Sequence, residues 1–363
     1  MGSAREITVI DTYTVRIALE RPDAFLLDKI VIGPIAGFVI GAPKYMERVG
    51  WDGFLRRPVG TGPYVVEGEV RDYKTAAEGG VYATLTANRN YWSEGYPRIA
   101  KITFVHHSPQ ESVRAVIDGR VDLVTSLLPK DTLQVAESLH SKVVKGREDV
   151  IFTTGHLNLM SNHTLPLRDM RVRKALNYAV NKKELLRYAF KGNATRMKGV
   201  LMEKSDVDLS DAEPYEWNVS KARGLLEQAG YAEGFQMKIA CQKKDYLTAQ
   251  LLQRFYSQLN IKIEIIFADW EWFVRHVVYP NTREGYSWDD EDWWVMLGSN
   301  PSYVPEVMHG HFEWHFHLGA PWQTSPAWLM VPLDRMYHKL LKTKDREKRF
   351  QIYKEANEYI ADQ

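Results

Sequence analysis

Apolar and polar residues alternate in the first section of the chain, on both sides of a short turn. In ITVIDTYTVRIALE, Val15, Ile17 and Leu19 share one face of the second run, because successive side chains of a strand point to opposite sides. This alternation predicts a β-hairpin. Further on, VGTGPY at 59–64 breaks regular structure, and YATLTANRNYW at 82–92 predicts a strand that runs into an Asn-rich turn.

A strand-helix-strand pattern begins near Lys101. ITFV at 102–105 predicts a strand, and Ser108, Pro109 and Glu111 are typical of an N-cap, a first-turn proline and a capping box. We expect Gly119 to end this helix and VDLV at 121–124 to form a strand parallel to the first. The pattern then predicts another helix over 129–139 and a short strand over 142–144.

A second section of alternating strands and helices begins after residue 150. GHLNLM at 155–160 predicts a strand, and Met170, Val172 and Leu176 have near-helical spacing. Asn181 and Glu184 form a second capping box. We expect further helices at 219–229 and 247–259, strands at 237–240 and 261–266, and two amphipathic helices over 333–360 that separate near Thr343. The alternation of strands and helices predicts an α/β protein.

Composition supports a globular chain with more than one core. The chain has 363 residues, of which 45% are apolar and 26% charged, and its net charge is +1. That length favours two lobes or domains. The near-zero charge gives no reason to expect nucleic acid or an anionic membrane as a partner, and no run approaches the roughly 18 apolar residues of a membrane span. The single cysteine, Cys241, follows an apolar run and is predicted to be a packed strand residue.

The order of these segments resembles the extracytoplasmic solute-binding proteins of ABC importers, in the peptide, nickel and opine class (bacterial extracellular solute-binding protein family 5). The matching segments are VGTGPY at 59–64, RNYW at 89–92, DGRVDLV at 118–124, LNLMSN at 157–162, RDMRVRKALNYAVNKKEL at 168–185, KARGLLEQAGYAEGF at 221–235 and LNIKIEI at 259–265.

The resemblance implies a two-lobed, periplasmic-binding-protein-like α/β fold of type II, the large peptide-binding class, with hinge strands between the lobes. Residues 1–150 would form a partial first lobe, 151–159 a hinge crossing and 160–363 the second lobe. A small-molecule or short-peptide ligand would be enclosed on lobe closure and passed to the membrane subunits of an ABC permease. We therefore expect a periplasmic or membrane-anchored extracytoplasmic monomer without enzyme activity or cofactor.

Two departures from the family pattern concern the chain ends. The chain opens at the hairpin, and it stops at Ala361-Asp362-Gln363, where the resembled family continues into a strand that returns to the first lobe. We expect the first lobe to be incomplete.

The segment LGSNPSYVPEVM at 297–308 falls where peptide binders of this class often carry an aspartate for the ligand's α-amino group. Here it offers Asn300, Ser302 and Tyr303, with Glu306 as its acid. Neutral groups cannot compensate a buried ammonium, so the resemblance disfavours ordinary free-amine peptides. Asn158, in the expected hinge strand, is a further ligand candidate.

Aromatic residues supply the other ligand candidates. Trp293 and Trp294 end SWDDEDWW; in an extended segment they point to opposite faces, so that one meets the core and the other can line the cleft. The same alternation separates the adjacent carboxylates and disfavours a metal site there. Trp322 can stack on a ligand, whereas core packing suits Trp328 at least as well.

The string HGHFEWHFH at 309–317 contains four histidines. A polar-aromatic loop over the cleft is the favoured interpretation, with ligand contact by His309, His311 and Trp314 as the second. Two-histidine metal chelation is the third, because i,i+2 and i,i+4 pairs are both present. A metal-dependent hydrolase using His309–His317 with Asp289–Asp292, and a ligand-sensing module for a membrane receptor, remain alternative functions.

Three arginines, Arg168, Arg171 and Arg173, cluster at a predicted helix start, where positive charge opposes the helix dipole unless it is paired. We expect salt bridges within the second lobe, with binding of a ligand carboxylate as the alternative.

Overall fold

The structure, a computed structural model, describes residues 4–27, 40–72, 76, 79–125, 127–128, 130–144, 152–159, 165–194, 215–273, 275–276, 295–301, 312, 316–320 and 327–362. By internal contacts the chain divides into two compact units. The larger unit comprises Met1–Pro34 with Lys145–Gln363, and the smaller unit is Ile35–Val144. The N-terminal hairpin thus groups with the C-terminal part of the chain. The assignment of 1–150 and 160–363 as lobes, with a hinge at 151–159, stays a prediction.

The smaller unit contains a three-stranded antiparallel sheet whose strands are neighbours in sequence order. Its elements are α1 (Pro43–Arg56), β3 (Tyr64–Glu67), β4 (Val81–Ala87), β5 (Lys101–Val105), α2 (Pro109–Ile117) and α3 (Thr132–Ala136). The predicted N-cap of α2 is confirmed, since the Ser108 side chain accepts a hydrogen bond from the Glu111 amide at 3.3 Å. Gly119 follows the helix with φ +69°, a conformation that favours glycine.

Two strands predicted in the smaller unit are wrong. Residues 121–124 and 142–144 have no regular structure, and β5 pairs antiparallel with β4 instead of parallel with a later strand. The amides of Arg120 and Val121 both donate to the Ala115 carbonyl, which turns the chain back on α2. Leu123 is 77% exposed. An apolar run becomes a strand only where a neighbouring ladder accepts it, and no described strand pairs with this one.

The larger unit begins with the predicted hairpin, confirmed as β1 (Ala4–Asp11) paired antiparallel with β2 (Thr14–Leu19). Its main sheet has the order β6-β9-β7-β8, with β6 (Phe152–Leu159), β7 (Gln236–Cys241), β8 (Lys262–Phe267) and β9 (Val295–Pro301). The helices are α4 (Leu165–Arg168), α5 (Met170–Ala179), α6 (Lys182–Ala189), α7 (Val219–Gln228), α8 (Tyr246–Ser257), α9 (Trp270–Phe273), α10 (Ala327–Lys342) and α11 (Arg346–Asp362).

One face of this sheet packs under α5, α7 and α8. The buried strand residues Met237, Ile239, Cys241 and Ile263 alternate along β7 and β8, as the period of two requires. Leu176, Leu226, Phe255 and Tyr256 from the three helices complete the cluster. Cys241 is thereby confirmed as a packed strand residue.

A second apolar cluster joins α10 and α11 to the segment after β2. Phe25, Phe312 and Leu340 are buried in it, and the Ala24 amide donates to the Leu341 carbonyl at 2.8 Å. The predicted pair of C-terminal helices is confirmed, with the break at residues 343–345.

Candidate functional site

The order of the parallel strands creates a topological switch point. β7 connects through α8 to β8, its parallel neighbour on one side, whereas β9 lies parallel to β7 on the other side. In open α/β sheets, ligands bind outside the carboxyl ends of the strands where the connections diverge in this way. We call this region the switch-point edge and define it by Gln242–Asp245, which follow β7, and by Gly298–Pro301, where β9 extends past β7.

Register places two predicted ligand residues at opposite ends of the β6–β9 pair. Asn300 lies opposite Thr153 at the switch-point edge, whereas Asn158 lies opposite Met296. Met296 and Asn300 are separated by about 13 Å along β9. Asn300 therefore lies at the switch-point edge, and Asn158 lies toward the other end of the β6–β9 pair.

A register shift near Gly155 keeps Thr153 and Asn158 on the same face of the sheet. The shift occurs between Thr154 and His156 on β6. Without it, the odd spacing between residues 153 and 158 would put the partners of Met296 and Asn300 on opposite faces of the sheet.

The other predicted ligand residues lie outside the described residues. They are Trp293, Trp294, Ser302, Tyr303, His309, His311, Trp314 and Trp322. Ser302 and Tyr303 directly follow β9 in sequence, so the chain leads from the switch-point edge into that segment.

A buried carboxylate that sequence reasoning missed lies at the same edge. Asp245 ends the short 3₁₀ turn Lys243–Asp245 after β7 and precedes α8. It is 8% exposed, and its Oδ2 accepts no hydrogen bond from the residues that the structure describes. Nor does its side chain cap α8. Burial raises the pKa of Asp245, although the positive charge of Lys244 acts in the opposite direction.

The neighbouring strand end provides a contrast. Asp269, which follows β8, is exposed and accepts a hydrogen bond from the Trp272 amide at 2.8 Å. Burial raises the pKa of the Cys241 thiol to about 11, and the Asp245 charge adds to this effect. The interior side of the switch-point edge is thus poorly solvated. Asp245 Oδ2 accepts no hydrogen bond from the described residues, whereas Asp269 accepts one from the Trp272 amide.

A groove of about 590 Å³ lies elsewhere in the larger unit. Its lining comprises Val180, Asn181, Lys182, Lys183, Glu184, Arg187, Tyr188, Tyr215, Glu216 and Trp217. Glu184 pairs with Arg254, which is about 13 Å along α8 from Asp245. The groove is therefore distinct from the switch-point edge.

The arginines at the start of α5 make structural contacts. Arg171 donates to Asp169 through Nε at 3.0 Å and to the Gln228 carbonyl at 2.7 Å, and its hydrogen bond lowers the pKa of Asp169. Arg173 is 5% exposed and donates to the Leu167 and Arg168 carbonyls at 2.8 and 2.9 Å. These hydrogen bonds connect α5 to α4 and to α7. Arg171 and Arg173 therefore have structural roles.

Part of the histidine-rich string is described. Phe312 is fully buried, and the His317 ring stacks on Tyr337 with centroids 4.3 Å apart. His317 Nδ1 lies 2.8 Å from the Leu318 carbonyl oxygen. In the described part of the chain, no group of three or more His, Cys, Asp or Glu side chains could hold a metal ion. The described end of the string therefore packs on α10.

Comparison with known proteins identifies the family to which the chain belongs. The model of the bacterial extracellular solute-binding proteins, family 5 (middle region), matches residues 2–310, and the chain belongs to this family. The family and the proteins similar to this chain are binding proteins. No helix among the described residues is long and apolar enough to cross a bilayer.

A curated relative and two solved structures illustrate the similarity. The glutathione-binding protein GsiB of Salmonella choleraesuis is 25% identical over 359 residues, which cover 97% of this chain and 65% of the relative. The periplasmic oligopeptide-binding protein of Thermotoga maritima has a TM-score of 0.77 at 16% identity, with 99% and 70% covered. AgaA of A. tumefaciens R10, solved with agropinic acid, has a TM-score of 0.73 at 19% identity, with 99% and 70% covered.

These likenesses confirm the predicted fold class and the predicted family. The chain spans about 65% of the length of the curated relatives that it matches first.

Proposed function

We propose that this protein binds a small solute at the switch-point edge and passes it to the membrane subunits of an ABC permease. Membership of the solute-binding family over residues 2–310 is the observation that carries the proposal. The switch point between β7 and β9 supports it, because this is where open α/β sheets bind ligands. An extracytoplasmic location agrees with the family's description as extracellular.

The proposed site combines Asn300 with the segment that follows it, Ser302 and Tyr303, on the β9 side. We keep Trp293, Trp294, His309, His311, Trp314 and Trp322 as aromatic and polar candidates for the wall that closes over the ligand, and Asn158 as a candidate at the other end of β6. Residues 1–150 and 160–363 are the proposed lobes, with 151–159 as the crossing between them. Such a site encloses its ligand on closure and needs no covalent chemistry.

A ligand screen tests the proposal directly. The full chain is screened by thermal shift against peptides, glutathione, opines, oligosaccharides and chelated metals, and hits are measured by calorimetry. A ligand at a hundredfold excess over its Kd should raise the unfolding free energy by about 2.7 kcal/mol. Failure of every class to bind would refute solute binding.

The fate of the ligand separates the proposed role from its alternatives. Mass spectrometry should recover the bound ligand unchanged, and deletion of the gene should abolish uptake of that ligand by the cell. Chelator-sensitive turnover would indicate a hydrolase instead. Normal uptake with a lost transcriptional response would indicate a sensory module.

A further inference from the structure

The carboxylate of Asp245 has a position and an environment that its sequence neighbours do not suggest. The segment KKDY at 243–246 predicts a solvated charged turn. In the structure, however, Asp245 is buried while Lys243 and Lys244 are exposed. A buried carboxylate is costly unless a positive charge or hydrogen-bond donors compensate it. The described residues make no hydrogen bond to its Oδ2.

The neighbouring helix does not supply the missing partner. A residue just before a helix ordinarily accepts a bond from the free amides of the first turn. The Asp245 side chain makes no such bond to α8. By contrast, Asn181 at the start of α6 accepts a hydrogen bond from the Glu184 backbone amide at 3.1 Å. Asn218 at the start of α7 likewise accepts one from the Lys221 backbone amide at 2.9 Å. Asp245 is therefore placed as a cap without acting as one.

Asp245 lies at the switch-point edge, where a solute could supply the missing partner. Gln242–Asp245 leave the carboxyl end of β7, and β9 continues through Gly298–Pro301 beyond its last pairing with β7, that of Cys241 with Leu297. These two segments flank the switch point, where a solute would lie. An ammonium or guanidinium group there would compensate the carboxylate with charge and hydrogen bonds together.

We infer that Asp245 is the anionic contact of the solute site and that the solute carries a cationic nitrogen, such as a free amine. This inference rests on the proposed function. It revises the expectation against free-amine peptides, which considered only the segment after β9, where Asn300 and Ser302 are neutral. The acid that an amine needs would come from the β7 side of the switch point.

Matched ligand pairs test the inference on the unmodified protein. Glutathione, Ala-Ala and Ala-Ala-Ala, each with its N-acetylated form, are titrated into the full chain by calorimetry. At least one free amine should bind, and its acetylated form should bind at least tenfold more weakly, because acetylation removes the positive charge. Equal affinity within every pair that binds would overturn the inference.

Two variants test whether Asp245 contacts the solute. Asp245→Asn keeps the side-chain shape and removes the charge, so it should weaken binding of the free amine at least tenfold and leave the acetylated form unchanged. Asp269→Asn is the matched control, because it removes an exposed carboxylate at the next strand end and should bind like the wild type. Wild-type affinity of Asp245→Asn for the amine would show that Asp245 is only a buried structural acid.

The outcomes separate this inference from the function on which it rests. If only an amine-free solute from the broader screen binds, solute capture stands and the cationic contact is refuted. If nothing in either panel binds, both fail. The comparison within each ligand pair uses wild-type protein, so it decides the point even if a variant does not fold.

Discussion

Replacing Asp245 by Asn should change how the stability of the protein depends on pH. Burial raises the pKa of this carboxyl above its ordinary value of 3.8. As pH falls, the folded state therefore takes up this proton before the unfolded state does. Between the raised pKa and 3.8 the wild type gains stability that the variant does not gain, and below 3.8 the gain is complete.

The size of this effect follows from the environment of Asp245. A buried polar group without a partner costs about 1–3 kcal/mol. The Asn amide bears that cost as well and lacks only the charge, so at neutral pH Asp245→Asn should be more stable than the wild type by the additional cost of burying a charge, on the order of 1 kcal/mol. The difference should shrink as the pH falls through the raised pKa and vanish below 3.8, where the wild-type carboxyl becomes neutral in both states.

Urea denaturation of wild type and variant, followed by fluorescence in half-unit steps from pH 7.5 to 3.5, measures the effect. Asp269→Asn is the control, since that side chain is exposed and its loss should leave no comparable difference. Parallel wild-type and Asp245→Asn profiles would refute the claim that the carboxylate is uncompensated. A variant that is less stable than the wild type at neutral pH, with a deficit that shrinks as the pH falls, would show that the carboxylate has a partner in the folded protein.

Three further changes probe the packing of the larger unit by urea denaturation. Tyr256→Phe should raise the unfolding free energy by about 1 kcal/mol, because the fully buried hydroxyl has no hydrogen bond from the described residues and burial raises its pKa; a loss would reveal a partner. Leu226→Ala should lower it by about 2–5 kcal/mol, since the side chain is 2% exposed within the core cluster of the larger unit; a loss below 1 kcal/mol would contradict that packing. Gly234→Ala should cost more than about 1 kcal/mol, because φ is +73° and a Cβ would overlap the Asn260 carbonyl; a neutral result would exclude the close approach.

Local features of the larger unit could be predicted from the sequence because their causes are local. The capping residue Asn181 accepts its bond three residues ahead, and Gly230 follows α7 with φ +84°. Val172 and Leu176, four residues apart on α5, share one face of the helix, and both enter the core. These elements need no information from distant parts of the chain.

Pairing between strands could not be predicted in the same way. VDLV at 121–124 has the composition of a strand, but it lacks a ladder among the described residues. Conversely, the insertion of β9 between β6 and β7 joins segments more than fifty residues apart in sequence. Hydrophobic patterning indicates which face of a strand is buried, but it does not identify the strands that pair with it. The switch point, which depends on strand order, was therefore not visible in the sequence.

Asp245 was missed for a related reason. In sequence, an acid after two lysines suggests a solvated turn, and only the packing of α8 against β7 and β8 shows that its side chain is buried. One signal was available: Asp245 follows a buried strand and directly precedes a helix, a position at which aspartate usually acts as a cap. The structure shows that it does not.

The pH measurement and the ligand measurement together distinguish two roles for the buried carboxylate. A purely structural acid at Asp245 would give the pH-dependent difference in stability and no difference in ligand affinity. A solute contact would give both, and a saturating cationic solute should remove the pH-dependent difference, because the solute then compensates the carboxylate in the folded state. The cost of burying the Asp245 Oδ2, which accepts no hydrogen bond from the described residues, would thus be recovered on binding, and selectivity for a cationic solute would then be a consequence of the strand order around β7.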